Sequence, residues 1–160
     1  MATEKLKSFR IISGGQTGAD QGALIAAHKL GIATGGTAPK GWWTETGCQE
    51  KLMRRFGLVE CAEPGYEART RQNVNDADGT LIVGSDATGG TALTATVARH
   101  LRKPLFFVPF PETSPPLVEE FRHWLKQHGV RTLNVAGNRE SDRPGIAEFT
   151  KAFLWSAFQR

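Results

Sequence analysis

An α/β domain on a doubly wound, mainly parallel sheet of about five strands is the fold this sequence predicts. Three observations carry that expectation. Short apolar runs alternate along the chain with segments of helical spacing. Several of those runs end in glycine clusters, as strands do where they meet a loop. No internal repeat, low-complexity stretch or long linker breaks the 160 residues. That length suits one domain, residues 1–160, able to bury roughly two-thirds of its unfolded surface.

The elements follow in order. Ser8 to Gly14 (SFRIISG) reads as a buried strand running into a loop. Asp20 to Leu30 has Leu24, Ala27 and Leu30 on one stripe and Gly31 at its end, which predicts a helix. Ile32 to Gly35 could form a short second strand. Residues 36–66 hold five glycines, two prolines and the pair Trp42-Trp43, and predict irregular loop with a short helix near Glu50. Ala68 to Ala77 is a helix leading into the strand Gly79 to Gly84. Thr91 to Leu101 places Leu93, Val97 and Leu101 on one helical face, and Pro104 stops it before the strand Leu105 to Pro109. Leu117, Phe121, Trp124, Leu125 and His128 mark the clearest amphipathic helix. Thr132 to Ala136 is the fifth strand, and a last helix starts near Pro144, a residue suited to the first helical position. Strand order is not legible in sequence. With the order 2-1-3-4-5, the first and third strands would flank the switch point, and ligands bind outside the carboxyl ends of such strands.

Composition excludes several classes. The apolar fraction of 39% and charged fraction of 22% are those of an ordinary globule. No run approaches the roughly 20 apolar residues of a membrane helix. The opening residues MATEKLKSF lack the apolar core of a signal peptide, so the expected place is the cytoplasm. Cys48 and Cys61 resemble neither a zinc site nor a redox pair. The net charge of +4 is scattered rather than gathered into the dense basic stripe of a nucleic-acid binder. A mild positive field around a small anionic ligand fits better.

Two loops stand out. Gly14-Gly15-Gln16-Thr17-Gly18-Ala19-Asp20 follows the first strand, and Ser85-Asp86-Ala87-Thr88-Gly89-Gly90-Thr91 follows the third. Glycines let backbone approach a ligand, and the helix beyond offers unpaired N–H groups to an anion. The expectation is a phosphate held by the first loop's backbone, with Gln16 and Thr17 adding donors. Asp20 is either the helix N-cap or a contact to a ligand hydroxyl or amine, because a carboxylate repels phosphate. Thr91 and Thr94 either bond a ligand or cap their helix. Arg69, Thr70 and Asn73 precede the third strand, and arginine suits phosphate. Lys40 with Gly41, Trp42 and Trp43 could be a lid or stacking surface, or a loop anchored by tryptophan burial or by an oligomer contact. Asn138 and Arg139 follow the fifth strand and belong on the ligand edge. His28, His100, His123 and His128 fall on helices away from these loops, and neither a catalytic triad nor a metal-ligand cluster is visible.

GGQTGAD, RTxxNVxxADGTLIV, GGTALT and NVAGNRES, in that order, resemble the molybdenum cofactor carrier proteins. These are Rossmann-like domains in a wider superfamily that includes the LOG-type phosphoribohydrolases. The resemblance spans about residues 10–150 and implies ligand contacts from Gly15, Gln16, Thr17, Gly18, Arg69, Thr70, Asn73, Gly89, Gly90 and Thr91. The family pattern near the end is closer to AGPR than to Ala136-Gly137-Asn138-Arg139 here. The resemblance further implies molybdenum cofactor, a phosphate-bearing pterin, as cargo. Molybdoenzymes or cofactor-synthesis proteins become possible partners, and a homo-oligomer is implied, which the last helix's Phe149, Phe153, Trp155 and Phe158 would allow. The cargo's own sulfurs hold its metal, so few cysteines are needed. The alternative enzyme, a phosphoribohydrolase, carries PGGxGTxxE, and Asp86 and Thr94 stand where its proline and glutamate would be. A threonine cannot serve as a general acid or base near neutral pH. A nucleotide-sensing domain is the remaining alternative.

Overall fold

The computed structural model describes residues 2–85 and 89–159. Its elements in chain order are α1 (Ala2–Lys7), β1 (Arg10–Ile12), α2 (Ala19–Lys29), β2 (Ala33–Ala38), β3 (Trp43–Thr44), β4 (Gly47–Cys48), α3 (Glu50–Arg55), β5 (Leu58–Glu60), α4 (Tyr66–Asp76), β6 (Gly79–Val83), α5 (Gly89–His100), β7 (Leu105–Val108), α6 (Pro115–Gln127), β8 (Thr132–Gly137) and α7 (Ile146–Phe158). Six of the strands form one parallel sheet in the order β5-β2-β1-β8-β6-β7, and β3 pairs with β4 as a separate antiparallel hairpin. The fold is Rossmann-like, as expected, with one more sheet strand than expected.

That strand is β5, with only Leu58 of its three residues buried, too short an apolar signal to separate from loop. The strand order also differs from 2-1-3-4-5. The last strand, β8, lies between β1 and β6, pairing Ile11 with Leu133 on one side and Leu81 with Val135 on the other. The two glycine loops therefore do not follow neighbouring strands. They flank a third loop, the one after β8, and all three leave the same carboxyl edge.

Strand alternation divides the core. Ile11, Leu81, Val83, Leu133 and Val135 pack with α2, α6 and α7 on one face, around Phe121, Phe153 and Leu154. Val74, Val97 and Ala98 of α4 and α5 cover the other face. That second face has a polar stripe: Thr80 and Asn134 are register partners, both buried, and Asn134 Nδ2 donates to Thr80 Oγ1 at 3.4 Å. A satellite cluster of Leu24, Trp42, Met53, Phe56 and Leu58 fixes the segment between β2 and β5.

Helix ends follow their local chemistry. Ser114 caps α6, accepting from the Leu117 N–H at 3.4 Å, with prolines in the first turn. Gly31 ends α2 with φ 74°. Pro144 lies outside α7, whose N-cap is Gly145. The aromatics of α7 are mostly spent in the core: Phe153 is buried, Phe149 and Phe158 are partly buried against the core, and Trp155 alone of the four is exposed. Among the described residues no helix is long and apolar enough to cross a membrane.

Candidate functional site

The three loops enclose a crevice of about 390 Å³, at the lower end of the range for small-molecule sites. Gln16 and Asp20 line it from the first loop, and Ala136 to Arg139 from the loop after β8. Gly89, Gly90, Thr91 and Thr94 at the start of α5 form another wall, and Tyr66, Arg69 and Thr70 of α4 a further one. Asp86, Ala87 and Thr88 of the second loop lie outside the described residues.

Glycine draws the loops together at Gly18. Its φ is 86°, and a Cβ there would overlap the backbone of Asn138 to Glu140. Asn138 completes the junction. Its Oδ1 accepts from the Ser85 N–H at 2.8 Å, its Nδ2 donates to the Ser85 carbonyl at 3.3 Å, and its own carbonyl accepts from the Ala19 N–H at 3.2 Å. Asn138 was expected to meet a ligand. The structure uses both ends of its amide to fasten the β6 and β8 loops, and Asn138 also lines the crevice.

The first loop differs from the expected phosphate cradle. Gly15 N–H donates to Ser13 Oγ at 3.3 Å, Gln16 N–H to Asp20 Oδ2 at 3.2 Å, and Ala19 N–H to Asn138. A protein carboxylate thus takes the Gln16 amide, one of the donors on which the anion was expected. Asp20 is not the N-cap, since Gly18 holds that place and Asp20 is the second helical residue. Gly15 packs toward Leu58 and Met53 rather than lining the crevice. Thr17 Oγ1 donates to Glu45 Oε1, in the turn between β3 and β4. Asn73 pairs with β2, its Oδ1 accepting from Thr37 N–H at 2.8 Å and its Nδ2 donating to Thr37 O at 3.0 Å. Lys40 is exposed and does not line the crevice. Trp42 is buried in the satellite cluster, with the Arg54 guanidinium 4.7 Å from its ring centre, whereas Trp43 is 57% exposed. Burial of Trp42 thus anchors this segment.

Positive charge gathers beside Asp20. The Arg69 and Arg139 guanidinium carbons lie 5.5 and 5.4 Å from the ring centre of Tyr66. Arg69 is nearly buried, and its Nε has no hydrogen-bond partner among the described residues. Burial lowers its basicity, opposed by Asp20, whose Oδ2 is 3.8 Å from Nη1. Burial likewise pushes the Asp20 carboxyl from 3.8 to about 6, against the opposing pull of Arg69, the Gln16 N–H, the Ser13 hydroxyl and Arg139. Thr91 and Thr94 are buried, and Thr94 Oγ1 donates back to the Gly90 carbonyl at 2.8 Å. Among the described residues no group of three or more His, Cys, Asp or Glu could hold a metal ion, and both cysteines are free thiols.

Tyr66 and Glu45 were not singled out in the sequence. Tyr66 had a signal, since it precedes Arg69 by three residues and so shares its helical face. Glu45 had none, for its partners Thr17 and Ser141 are distant along the chain. Its carboxylate accepts from both hydroxyls and, at 3.3 Å, from the Ser141 N–H, which together hold it below the ordinary carboxylate range.

A Rossmann-like domain with a polar ligand crevice at the carboxyl edge of its parallel sheet is the class that this fold and site define. Within it, the chain belongs to the circularly permutated YpsA SLOG family, whose model matches residues 11–158. It is similar to the "Putative molybdenum carrier protein" of Syntrophus aciditrophicus SB, with 36% identity, a TM-score of 0.83, and 96% of this chain and 97% of that chain covered. A likeness to (E)-4-hydroxy-3-methyl-but-2-enyl diphosphate reductase reaches 12% identity and a TM-score of 0.40 over 96% of this chain and 61% of that one, too slight to bear on function. No curated protein matches.

Proposed function

We propose that this protein carries or stores molybdenum cofactor in the three-loop crevice, without catalysing a reaction on it. One observation carries the reading: Arg69, nearly buried, lines the crevice with Arg139 and the start of α5, and its Nε has no partner among the described residues. A buried donor without a partner is costly, and a bound anion would satisfy it. The ligand phosphate then belongs between the arginines and the N-terminal end of α5. The carrier name of the Syntrophus relative supports the cargo. Thr94 supports the absence of hydrolysis, because its hydroxyl is bonded to the helix backbone and a threonine cannot replace a catalytic glutamate.

The test loads the protein anaerobically with cofactor released from a molybdoenzyme. Molybdenum retained after gel filtration is measured, then transfer to a cofactor-free molybdoenzyme. Wild type should retain and deliver cofactor. Arg69→Ala should weaken retention by about 1.5–3 kcal/mol, the worth of a hydrogen bond to a charged group, and Arg69→Lys should restore only part of it. Equal retention by wild type and both variants would move the site elsewhere. No retention by wild type would end the carrier reading, and release of free base from AMP would favour the hydrolase. A homo-oligomer belongs to the same reading through the exposed Trp155, and sedimentation of Trp155→Glu against wild type tests it.

A further inference from the structure

The first-loop side of the crevice holds one buried acceptor, Gln16 Oε1, that nothing among the described residues satisfies, and beside it a carboxylate. Gln16 is 5% exposed, and its Nε2 donates to the Trp43 carbonyl at 2.9 Å. That bond fixes which end of the amide is oxygen, and Oε1 is buried with no partner among the described residues. Asp20, 4% exposed, lines the same crevice. The two residues form one unit, because the Gln16 N–H donates to Asp20 Oδ2. At 3.8 Å, Arg69 Nη1 is too far from that oxygen for a hydrogen bond, so it offsets charge without taking the acceptor. Asp20 already accepts from the Gln16 N–H and the Ser13 hydroxyl, and its oxygens have lone pairs to spare, whereas the Gln16 oxygen lacks any donor among the described residues.

We propose that Gln16 and Asp20 form a subsite that reads the edge of a 2-amino-4-oxopyrimidine ring, the edge shared by pterin and guanine. This rests on the carrier reading and deepens it by naming what selects the ring. That edge presents a ring N–H beside an exocyclic amino group, two parallel donors. A carboxylate accepts two parallel N–H donors in one plane, as it does from arginine, and the Gln16 oxygen is an additional acceptor in the same wall. Adenine presents a ring acceptor beside its amino group. That acceptor would face a carboxylate oxygen and leave buried groups unpaired, the situation in which polar sites discriminate most strongly. The carboxylate also repels a phosphate, which leaves the phosphate to Arg139 and the start of α5, with Arg69 between the two ends of the ligand.

The test titrates GMP, AMP and unphosphorylated pterin at pH 7.5, following pterin by its own fluorescence and the nucleotides by calorimetry. Wild type should bind GMP at least tenfold tighter than AMP. Pterin should bind measurably and compete with GMP, and the tighter of the two identifies the source of the ring. Asp20→Asn offers one acceptor and one donor, the complement of adenine, so the GMP-to-AMP ratio should fall at least tenfold. Gln16→Leu should weaken GMP and pterin severalfold and serves as the deciding variant if Asp20→Asn does not unfold cooperatively. Equal binding of GMP and AMP by wild type, an unchanged ratio in a folded variant, or no binding of any probe would overturn the subsite. Failure of the carrier reading looks different: wild type would retain no molybdenum cofactor, yet would still discriminate GMP from AMP through Asp20.

Discussion

The Arg69 guanidinium lies over the backbone of Gly14, so close that a Cβ on Gly14 would overlap its Nη1 and Cζ. An arginine on α4 thus reaches over the end of β1 because the residue beneath it has no side chain. Gly14 is not among the positive-φ glycines, so its backbone tolerates alanine and the obstacle is the guanidinium alone.

Gly14→Ala should therefore separate stability from binding. Arg69 can swing its flexible end away, so the stability loss should be modest, at the low end of the roughly 1–3 kcal/mol for overpacking. Anion affinity should fall as far as in Arg69→Ala. Urea unfolding and phosphate titration check the two halves, and retained affinity would mean that Arg69 does not hold the anion.

Asp20 should cost stability near neutral pH. Its folded pKa of about 6 exceeds the ordinary 3.8, so the native state binds more protons than the unfolded state between those values. Stability then falls as pH rises through that window, by about 3 kcal/mol in all. Arg69 from α4, Arg139 from the loop after β8 and the Ser13 hydroxyl face this carboxyl, and their pull keeps the shift from being larger. Asp20→Asn should raise Tm at pH 7.5, with the gain closing toward pH 4. A constant difference across that range would refute the shift. A buried charge kept at such a cost suits a residue retained for binding.

Asn138→Ala should loosen the junction of the β6 and β8 loops. Two hydrogen bonds to Ser85 are lost, and the Ser85 N–H is left short of its acceptor. A destabilisation of about 1–3 kcal/mol is expected, with weaker binding of every ligand and no change in selectivity. Chemical denaturation and the GMP-to-AMP ratio measure these separately.

Glu45→Ala should act on kinetics. Glu45 ties the turn between β3 and β4 to Thr17 and Ser141 on two crevice loops, yet it is exposed, so little equilibrium stability rests on it. Ligand dissociation should quicken severalfold in stopped flow while Tm barely moves. An unchanged dissociation rate would make these bonds incidental.

The sequence by itself determined the class of fold, the helices and the residues available for chemistry. Those features are local: the spacing of Leu117, Phe121 and Trp124 specifies a helix face wherever α6 packs, and GTLIVG ends a strand in a turn in any context. The four motifs also carried the resemblance to a carrier family, because identity in order along a chain needs no geometry. Tertiary structure decided what each loop does. Only the insertion of β8 between β1 and β6 brings Asn138 to Ser85 and Arg139 to Tyr66, and strand order depends on long-range pairing that no local pattern encodes. Only burial makes Asp20 an elevated carboxyl that accepts from the Gln16 amide, where its residue type alone left cap and ligand contact both open. Charge and hydrogen-bonding capacity are written in the residue, but whether either is spent within the protein or left for a ligand depends on which neighbours the fold supplies.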